Sequence, residues 1–277
     1  MAVESLKLQT NVASTRAQRN LGKTEGLMST SMARLSSGLR INTAADDAAG
    51  LAISEKLRAN VRGLAQAQRN ANDGISMLQT AEGAMNEISE MMIRMRELAV
   101  QSANGTLGST ERTALDNEFD ELVAEIDRIA KGTKFAGETL LDGGMSQTFQ
   151  VGVSNTGNDQ IFVSMATVTT GASGLNISGL DISSDTAAQS ALATLDTALS
   201  TISARRGTLG AKQNRLNVTI NNLAAMHENL SAANSRIRDA DIASESANFT
   251  KSQILMQAGI SVLAQANQLP SMALSLI

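Results

Sequence analysis

The chain has 277 residues with 23 Lys and Arg against 27 Asp and Glu, for a net charge of -4. It contains no Cys, one His, five Phe and neither Trp nor Tyr. Scattered basic residues argue against a nucleic-acid footprint. The lack of Cys rules out disulfides and thiolate-bound metals, and a core nearly free of aromatics is unlike that of a compact enzyme with a lined pocket. Hydrophobic residues still make up 42% of the chain. A core of Leu, Ile, Met and Ala suits long helices that meet along narrow seams.

Proline occurs once, at Pro270, against an average usage of about 5%. Since proline breaks helices, its scarcity permits very long ones. A first helix is predicted from about Val3 to Leu35. Its apolar positions Leu21, Met28 and Leu35 recur every seven residues, with Met32 and Leu39 between turns. Ser36, Ser37, Gly38 and Asn42 then read as a break.

Thr43 with Asp46 three residues on resembles a capping box opening a second helix. That helix is predicted from Ala44 to Ala103, at roughly 90 Å if continuous. Its stripe comprises Leu51, Leu57, Val61, Leu64, Ala71, Ile75, Leu78, Met85, Ile88, Met92 and Met95, and Asn104-Gly105 is its stop signal. A third helix, about Ser109 to Ala130, carries Leu115, Phe119, Leu122, Ile126 and Ile129 in alternating steps of four and three.

The helical period disappears between Lys131 and Ser184. Thr148–Val153 and Gln160–Met165 alternate polar and apolar around the turn-forming Asn155-Thr156-Gly157-Asn158, which predicts a β-hairpin. Gly- and Ser-rich sequence from Gly171 to Ser184 follows.

The fourth helix, about Asp185 to Ile237, carries the strongest periodicity. Ala188, Leu195, Ile202, Leu209, Leu216, Leu223, Leu230 and Ile237 recur every seven residues without interruption, as in a coiled coil. Leu192, Leu199, Arg206, Gln213, Ile220, His227 and Asn234 form the companion row. Its polar members are expected to fix helix register at some cost in stability, so that leucine at Gln213 and Asn234 would raise melting while loosening alignment.

The last segment continues the pattern through Leu255, Gly259, Val262, Ala266, Leu269, Ala273 and Leu276. A second row of Ile242, Phe249, Met256 and Leu263 lies beside it. Two apolar faces imply more than one partner helix. The fold class expected is therefore mainly α: long antiparallel coiled-coil helices with a short central β-hairpin region. Neither terminal stripe can be buried by its own segment, so the two ends are expected to pair. One face would remain for neighbouring subunits, and a repeated heterologous contact builds an open filament. An ordinary closed bundle remains an open reading of the periodicity.

No catalytic constellation is found. His227 lacks the second His of a zinc-protease helix, Asp46-Asp47 suit capping better than acid–base work, and Met91, Met92 and Met95 read as adaptable core. No cofactor, metal or catalytic residue is expected. No stretch is long and apolar enough to span a membrane, and Met1–Asn20 lacks the apolar centre of a secretory signal.

Several motifs resemble one family. They are Arg34-Leu35-Ser36-Ser37-Gly38-Leu39-Arg40-Ile41-Asn42, Asp46-Asp47-Ala48-Ala49-Gly50, Arg69-Asn70-Ala71-Asn72-Asp73-Gly74-Ile75-Ser76 and Arg96-Glu97-Leu98-Ala99-Val100-Gln101-Ser102-Ala103-Asn104-Gly105. Near the other end stand Ser235-Arg236-Ile237-Arg238-Asp239-Ala240-Asp241, Gln253-Ile254-Leu255 and Val262-Leu263-Ala264-Gln265-Ala266-Asn267-Gln268. Together they resemble a short bacterial flagellin lacking large outer domains.

The resemblance implies a structural, non-enzymatic subunit that polymerises into the flagellar filament, secreted through the flagellar export apparatus to the outside of the cell. The alternative from the same system is a hook–filament junction protein. The resemblance implies an inner terminal-helix domain of residues 1–43 and 237–277 lining the filament channel. Residues 44–236 would form a helical-bundle domain with the hairpin inserted at about 131–184. Implied partners are identical subunits, the export apparatus, an export chaperone at the C-terminal segment, the filament cap and hook-junction proteins. The assembly stripe would comprise Leu21, Met28, Met32, Leu35, Leu39, Leu255, Val262, Leu263, Leu269 and Leu276. An innate-immune surface read by a flagellin-sensing Toll-like receptor would map to Arg94, Leu98, Gln101 and Glu118. The chain departs from the family pattern at Ile93, where Gln is more usual, and at its end, which lacks the frequent final Arg.

Overall fold

A computed structural model describes residues 10–143 and 145–274, with only the backbone described from 269 onward. Five helices follow in order: α1 (Val12–Ser37), α2 (Ala48–Ser102), α3 (Ser109–Gly132), α4 (Asp185–Arg238) and α5 (Ile242–Leu274). Between α3 and α4 lie four short strands, β1 (Lys134–Phe135), β2 (Glu138–Thr139), β3 (Ser146–Gln150) and β4 (Gln160–Ser164). The mainly helical class with a small β centre is what the periodicity predicted. The expected start of the first helix, Val3 to Gln9, lies outside the described residues. The chain forms two compact units, Met1–Ala59 with Asn229–Ile277, and Asn60–Glu228.

Several helices begin where a side chain satisfies free N–H groups of the first turn. The Asn11 side chain accepts from the Ser14 N–H at 3.0 Å at the start of α1. At α5, Asp241 Oδ1 accepts from the N–H groups of Ala243 and Ser244. Helix α2 corrects the sequence reading, because it opens at Ala48 rather than Ala44. Asp47 Oδ1 takes the Gly50 N–H at 2.8 Å, so Asp47 supplies the side-chain cap. Asp46 instead closes the preceding turn, accepting from the N–H groups of Asn42 and Thr43 and from the Thr43 hydroxyl.

The core of the Asn60–Glu228 unit is assembled from three helical stripes. Leu78, Met85, Ile88, Met92 and Met95 of α2 are buried, with Phe119 and Ile126 of α3 and Ala188, Leu195, Ile202, Leu209 and Leu216 of α4. Every seventh residue of α4 is buried as far as Leu223, as the uninterrupted heptad required. The companion row is half-buried throughout. In this unit Gln213 Nε2 donates to Glu82 Oε2 of α2 at 2.9 Å.

The predicted hairpin is present, with Phe149 opposite Ile161 and Gln150 opposite Gln160. Its first strand lies earlier than expected, because Val151–Asp159 is taken up by the connection. Ile161 and Val163 point into the core while Phe162 is exposed. Glycines on α2 let the hairpin approach closely: a Cβ at Gly74 would stand 3.2 Å from the Phe149 ring, and one at Gly63 would meet Val153 at 2.7 Å. Asn70 Nδ2 donates to the Gln150 carbonyl and Lys212 Nζ to that of Phe162.

Two features had no periodic signal. A tight β1–β2 turn places Ala136 at φ 50° and Gly137 at φ 93°, and Val168, Leu175, Ile177 and Ile182 in and just before the Gly- and Ser-rich stretch are buried in the core. Ile182 is held from both sides, its N–H by Asp116 Oδ1 at 2.9 Å and its carbonyl by the Ser102 hydroxyl.

The polar row on α4 is chemically uneven, which changes what substitution there should do. Asn234 Oδ1 is buried without a partner among the described residues, whereas Gln213 satisfies Glu82. Asn234→Leu is expected to stabilise the protein by about 1 kcal/mol. Gln213→Leu should destabilise it by about as much, because Glu82 loses its partner. Urea unfolding of the two variants reads the opposite signs.

Candidate functional site

Helices α1 and α5 pair antiparallel along most of their length. Asn11 Nδ2 donates to the Ala266 carbonyl at 2.8 Å, Leu21 stands over Gly259, and Arg34 faces Glu245 at 3.8 Å. As α1 ascends its partners descend, so one register runs the length of the pair.

The facing rows follow a heptad on both helices. On α1 they are Ser14, Ala17, Leu21, Thr24, Met28, Ser31 and Leu35; on α5 they are Glu245, Phe249, Ser252, Met256, Gly259, Leu263 and Ala266. All are buried or half-buried. Bulky residues are interspersed with small ones in both rows, so a side chain of one helix meets a gap in the other. A close approach falls at Gly259, where an added Cβ would lie 3.0 Å from Leu21 Cδ1.

A short β-bridge closes the pair at one end. Leu39 and Asp239 face each other antiparallel. The Arg40 N–H donates to the Arg238 carbonyl at 2.6 Å, and the Ala240 N–H to the Gly38 carbonyl at 3.0 Å. Arg40 Nη2 adds a bond to the Ile237 carbonyl. Gly38, at φ 71°, ends α1 in the left-handed conformation that favours glycine. Beside the bridge, Arg238 pairs with Glu55 at 2.9 Å. The three donors on Asp46, led by the Thr43 N–H, hold its carboxyl below the usual aspartate range.

The structure divides the anticipated assembly stripe. Leu21, Met28, Leu35 and Leu263 lie in the seam, and Leu39 is half-buried at the bridge. Met32, Leu255 and Val262 instead face outward, 56%, 49% and 54% exposed. The Leu269 side chain and all of Leu276 lie outside the described residues. The row read as Leu255, Gly259, Val262 and Ala266 is thus two faces: Gly259 and Ala266 turn inward, while Leu255 and Val262 join Ile254 on an open apolar strip. Ser14, Ser31 and Ser252, all buried in the seam, were invisible to a search for apolar residues. Their signal was the regular placing of small side chains between large ones.

On the other unit, Arg94 Nε and Nη2 donate to Glu118 Oε1 at 2.9 and 2.8 Å, and Nη1 donates to Glu97 at 3.1 Å. The Glu118 bonds, then the Glu97 bond, raise the Arg94 pKa. Gln101 is exposed. Leu98 is only 1% exposed and belongs to the core, so the surface expected from four residues presents the side chains of three. Among the described residues, no group of three or more His, Asp or Glu is placed to hold a metal, and no helix is long and apolar enough to cross a membrane.

Paired terminal helices with an exposed apolar strip beside the seam define a mainly α-helical protein. The family model described as the bacterial flagellin N-terminal helical region matches residues 8–146, and that for the C-terminal helical region matches 192–277. A flagellin of Halalkalibacterium halodurans is 48% identical over 96% of this chain and 98% of its own. The flagellar filament 33 kDa core protein of Treponema phagedenis is 43% identical, again over 96% of this chain and 98% of its own. A crystal structure of Bacillus cereus flagellin is 34% identical at TM-score 0.51, covering 60% of this chain and 94% of that one. The chain belongs to the bacterial flagellin family.

Two outcomes test the pair. Gly259→Leu should push α5 away from Leu21 and expose the terminal helices to limited proteolysis. Gly26→Ala, where nothing stands within 4 Å of the new methyl, should stabilise α1 by about 1 kcal/mol. A further outcome concerns pH. A carboxyl whose folded pKa is depressed contributes stability that is fully present above its unfolded pKa of about 4 and is lost as pH falls through the folded value. Asp46→Asn should therefore flatten the acid limb of stability below about pH 4 while adding no new slope near neutrality, as read by circular dichroism melts across pH.

Proposed function

We propose that this chain is the structural subunit of a bacterial flagellar filament and that the outer face of α5 carries contacts between subunits. The observation behind this reading is a helix with two unlike apolar faces. One is spent on α1 within the same chain; the other, with Ile254, Leu255 and Val262, is left open. We infer that this face meets a different surface on a neighbouring subunit rather than its own copy. A contact of that kind repeats without closing and generates a helical polymer.

In this reading the α1–α5 pair is the inner domain that lines the filament channel, and the bundle of α2, α3 and α4 supplies the filament's next layer. The work of the molecule is mechanical rather than catalytic. It passes through the flagellar export apparatus, meets an export chaperone through its C-terminal segment, and adds beneath a filament cap outside the cell. Exposed Arg94, Gln101 and Glu118 form the face offered to a flagellin-sensing Toll-like receptor.

Seeded polymerisation tests the proposal. Purified chain added to short filament fragments should elongate them, as seen by electron microscopy. The double variant Leu255→Asp, Val262→Asp should keep wild-type helicity yet fail to elongate seeds. Deletion from Leu255 onward should abolish growth while the α2–α4 bundle stays folded. Wild-type growth by either protein would overturn the role given to the outer face of α5.

A further inference from the structure

The link between α2 and α3 holds a chemical arrangement apart from the α1–α5 pair. Asn104 is exposed, Gly105 follows it, and nothing stands within 4 Å of the position a Cβ would take at Gly105. Three donors surround this one dipeptide. The Thr106 N–H reaches the Asn104 side-chain oxygen at 3.3 Å. Arg112 Nη2 donates to the Asn104 main-chain carbonyl at 3.0 Å, and the Leu107 N–H donates to the same oxygen at 3.3 Å. The Gly105 N–H itself has no partner among the described residues.

We propose that Asn104 is a self-deamidation site, promoted by Arg112 and the two loop amides. The Gly105 nitrogen loses its proton to solvent base and attacks Asn104 Cγ. A nitrogen–carbon bond forms there, and the bond from Cγ to the side-chain nitrogen breaks as that nitrogen takes a proton back from the solvent acid. Ammonia leaves, completing a five-membered succinimide. Water then opens the ring at one of its two carbonyls, giving an aspartyl or isoaspartyl residue. The net change is one water consumed and one ammonia released, with no oxidant or reductant.

Each donor acts where negative charge appears. Deprotonating a peptide nitrogen spreads charge onto the carbonyl oxygen of the same peptide. For Gly105 that oxygen is Asn104 O, which receives the Arg112 guanidinium and the Leu107 N–H. As the ring closes, charge grows on Oδ1, where the Thr106 N–H waits. Fixed donors aimed at developing charge are the arrangement of an oxyanion hole. The free Gly105 N–H and the missing side chain on Gly105 remove the usual barriers to attack. Arg112 Nε is buried with no partner among the described residues, so the guanidinium has a donor to spare for the carboxylate created at position 104. That charge also arises just past the C-terminal end of α2, where the helix dipole disfavours an anion. Conversion therefore shifts the local balance from the helix end toward Arg112.

The experiment compares the intact protein with a synthetic peptide spanning residues 98–112, both held in mildly alkaline buffer. Conversion at Asn104 is followed by peptide mass spectrometry and by ammonia release. The folded chain should convert faster than the peptide. Arg112→Gln in the full chain should slow it roughly tenfold, the rate equivalent of one charge-assisted hydrogen bond that tightens in the transition state. A folded chain that converts no faster than the peptide overturns the proposal, and so does an Arg112→Gln variant that converts at the wild-type rate.

Discussion

The terminal architecture depends on how closely α1 and α5 approach. Leu21 can rest over α5 because position 259 has no side chain, and Ser14, Ser31 and Ser252 keep the seam narrow elsewhere. Dispersion contacts fall off steeply with distance, so a narrow seam gains more from each buried methyl than a wide one. The narrowness has a second effect. It occupies one face of α5 and, among the described residues, leaves the adjoining face of Ile254, Leu255 and Val262 exposed. The intramolecular pair thus decides which apolar residues of α5 stay exposed among the described residues.

The two units solve the same packing problem by different means. The Asn60–Glu228 unit uses large residues, with Leu and Ile recurring along α4 and Met along α2, and closes its core with the hairpin and the buried loop around Ile177 and Ile182. In the terminal unit α1 and α5 meet along two facing stripes held by polar fixings: Asn11 on Ala266, Arg34 on Glu245, and the Leu39–Asp239 bridge. These directional contacts set register, because a slide by one turn would break all of them together. Register specified by polar contacts on a modest apolar seam is a familiar device of coiled coils.

Legibility in the sequence followed the strength of the period. The α4 heptad from Ala188 to Leu223 was readable because each of its members is buried, and nothing competes with the pattern. The ends of α3 and α4 and the existence of the hairpin were likewise visible. At α2 the Thr43–Asp46 spacing mimicked a cap, but Asp46 closes a turn and Asp47 does the capping; two adjacent aspartates left the choice to backbone geometry. In α5 the apolar residues wrap around the helix, so hydrophobicity could not say which row faces α1. The deciding residues were Gly259 and Ser252, whose contribution is their small size. Buried Val168, Leu175 and Ile177 carry no helical or strand period and are fixed only by tertiary packing. Leu98 shows the converse case: a motif match placed it on a surface, and its own helix turns it inward.

The bond from Asn11 to Ala266 joins residues 255 positions apart, which gives the protein a clock. At ribosomal speeds, the interval between the appearance of one partner and the other is on the order of 10 to 50 seconds. Until α5 has been made, α1 lacks the partner it pairs with in the fold. A helix of this length is marginal alone in water. The order of α1 is therefore set by a segment made more than two hundred residues later.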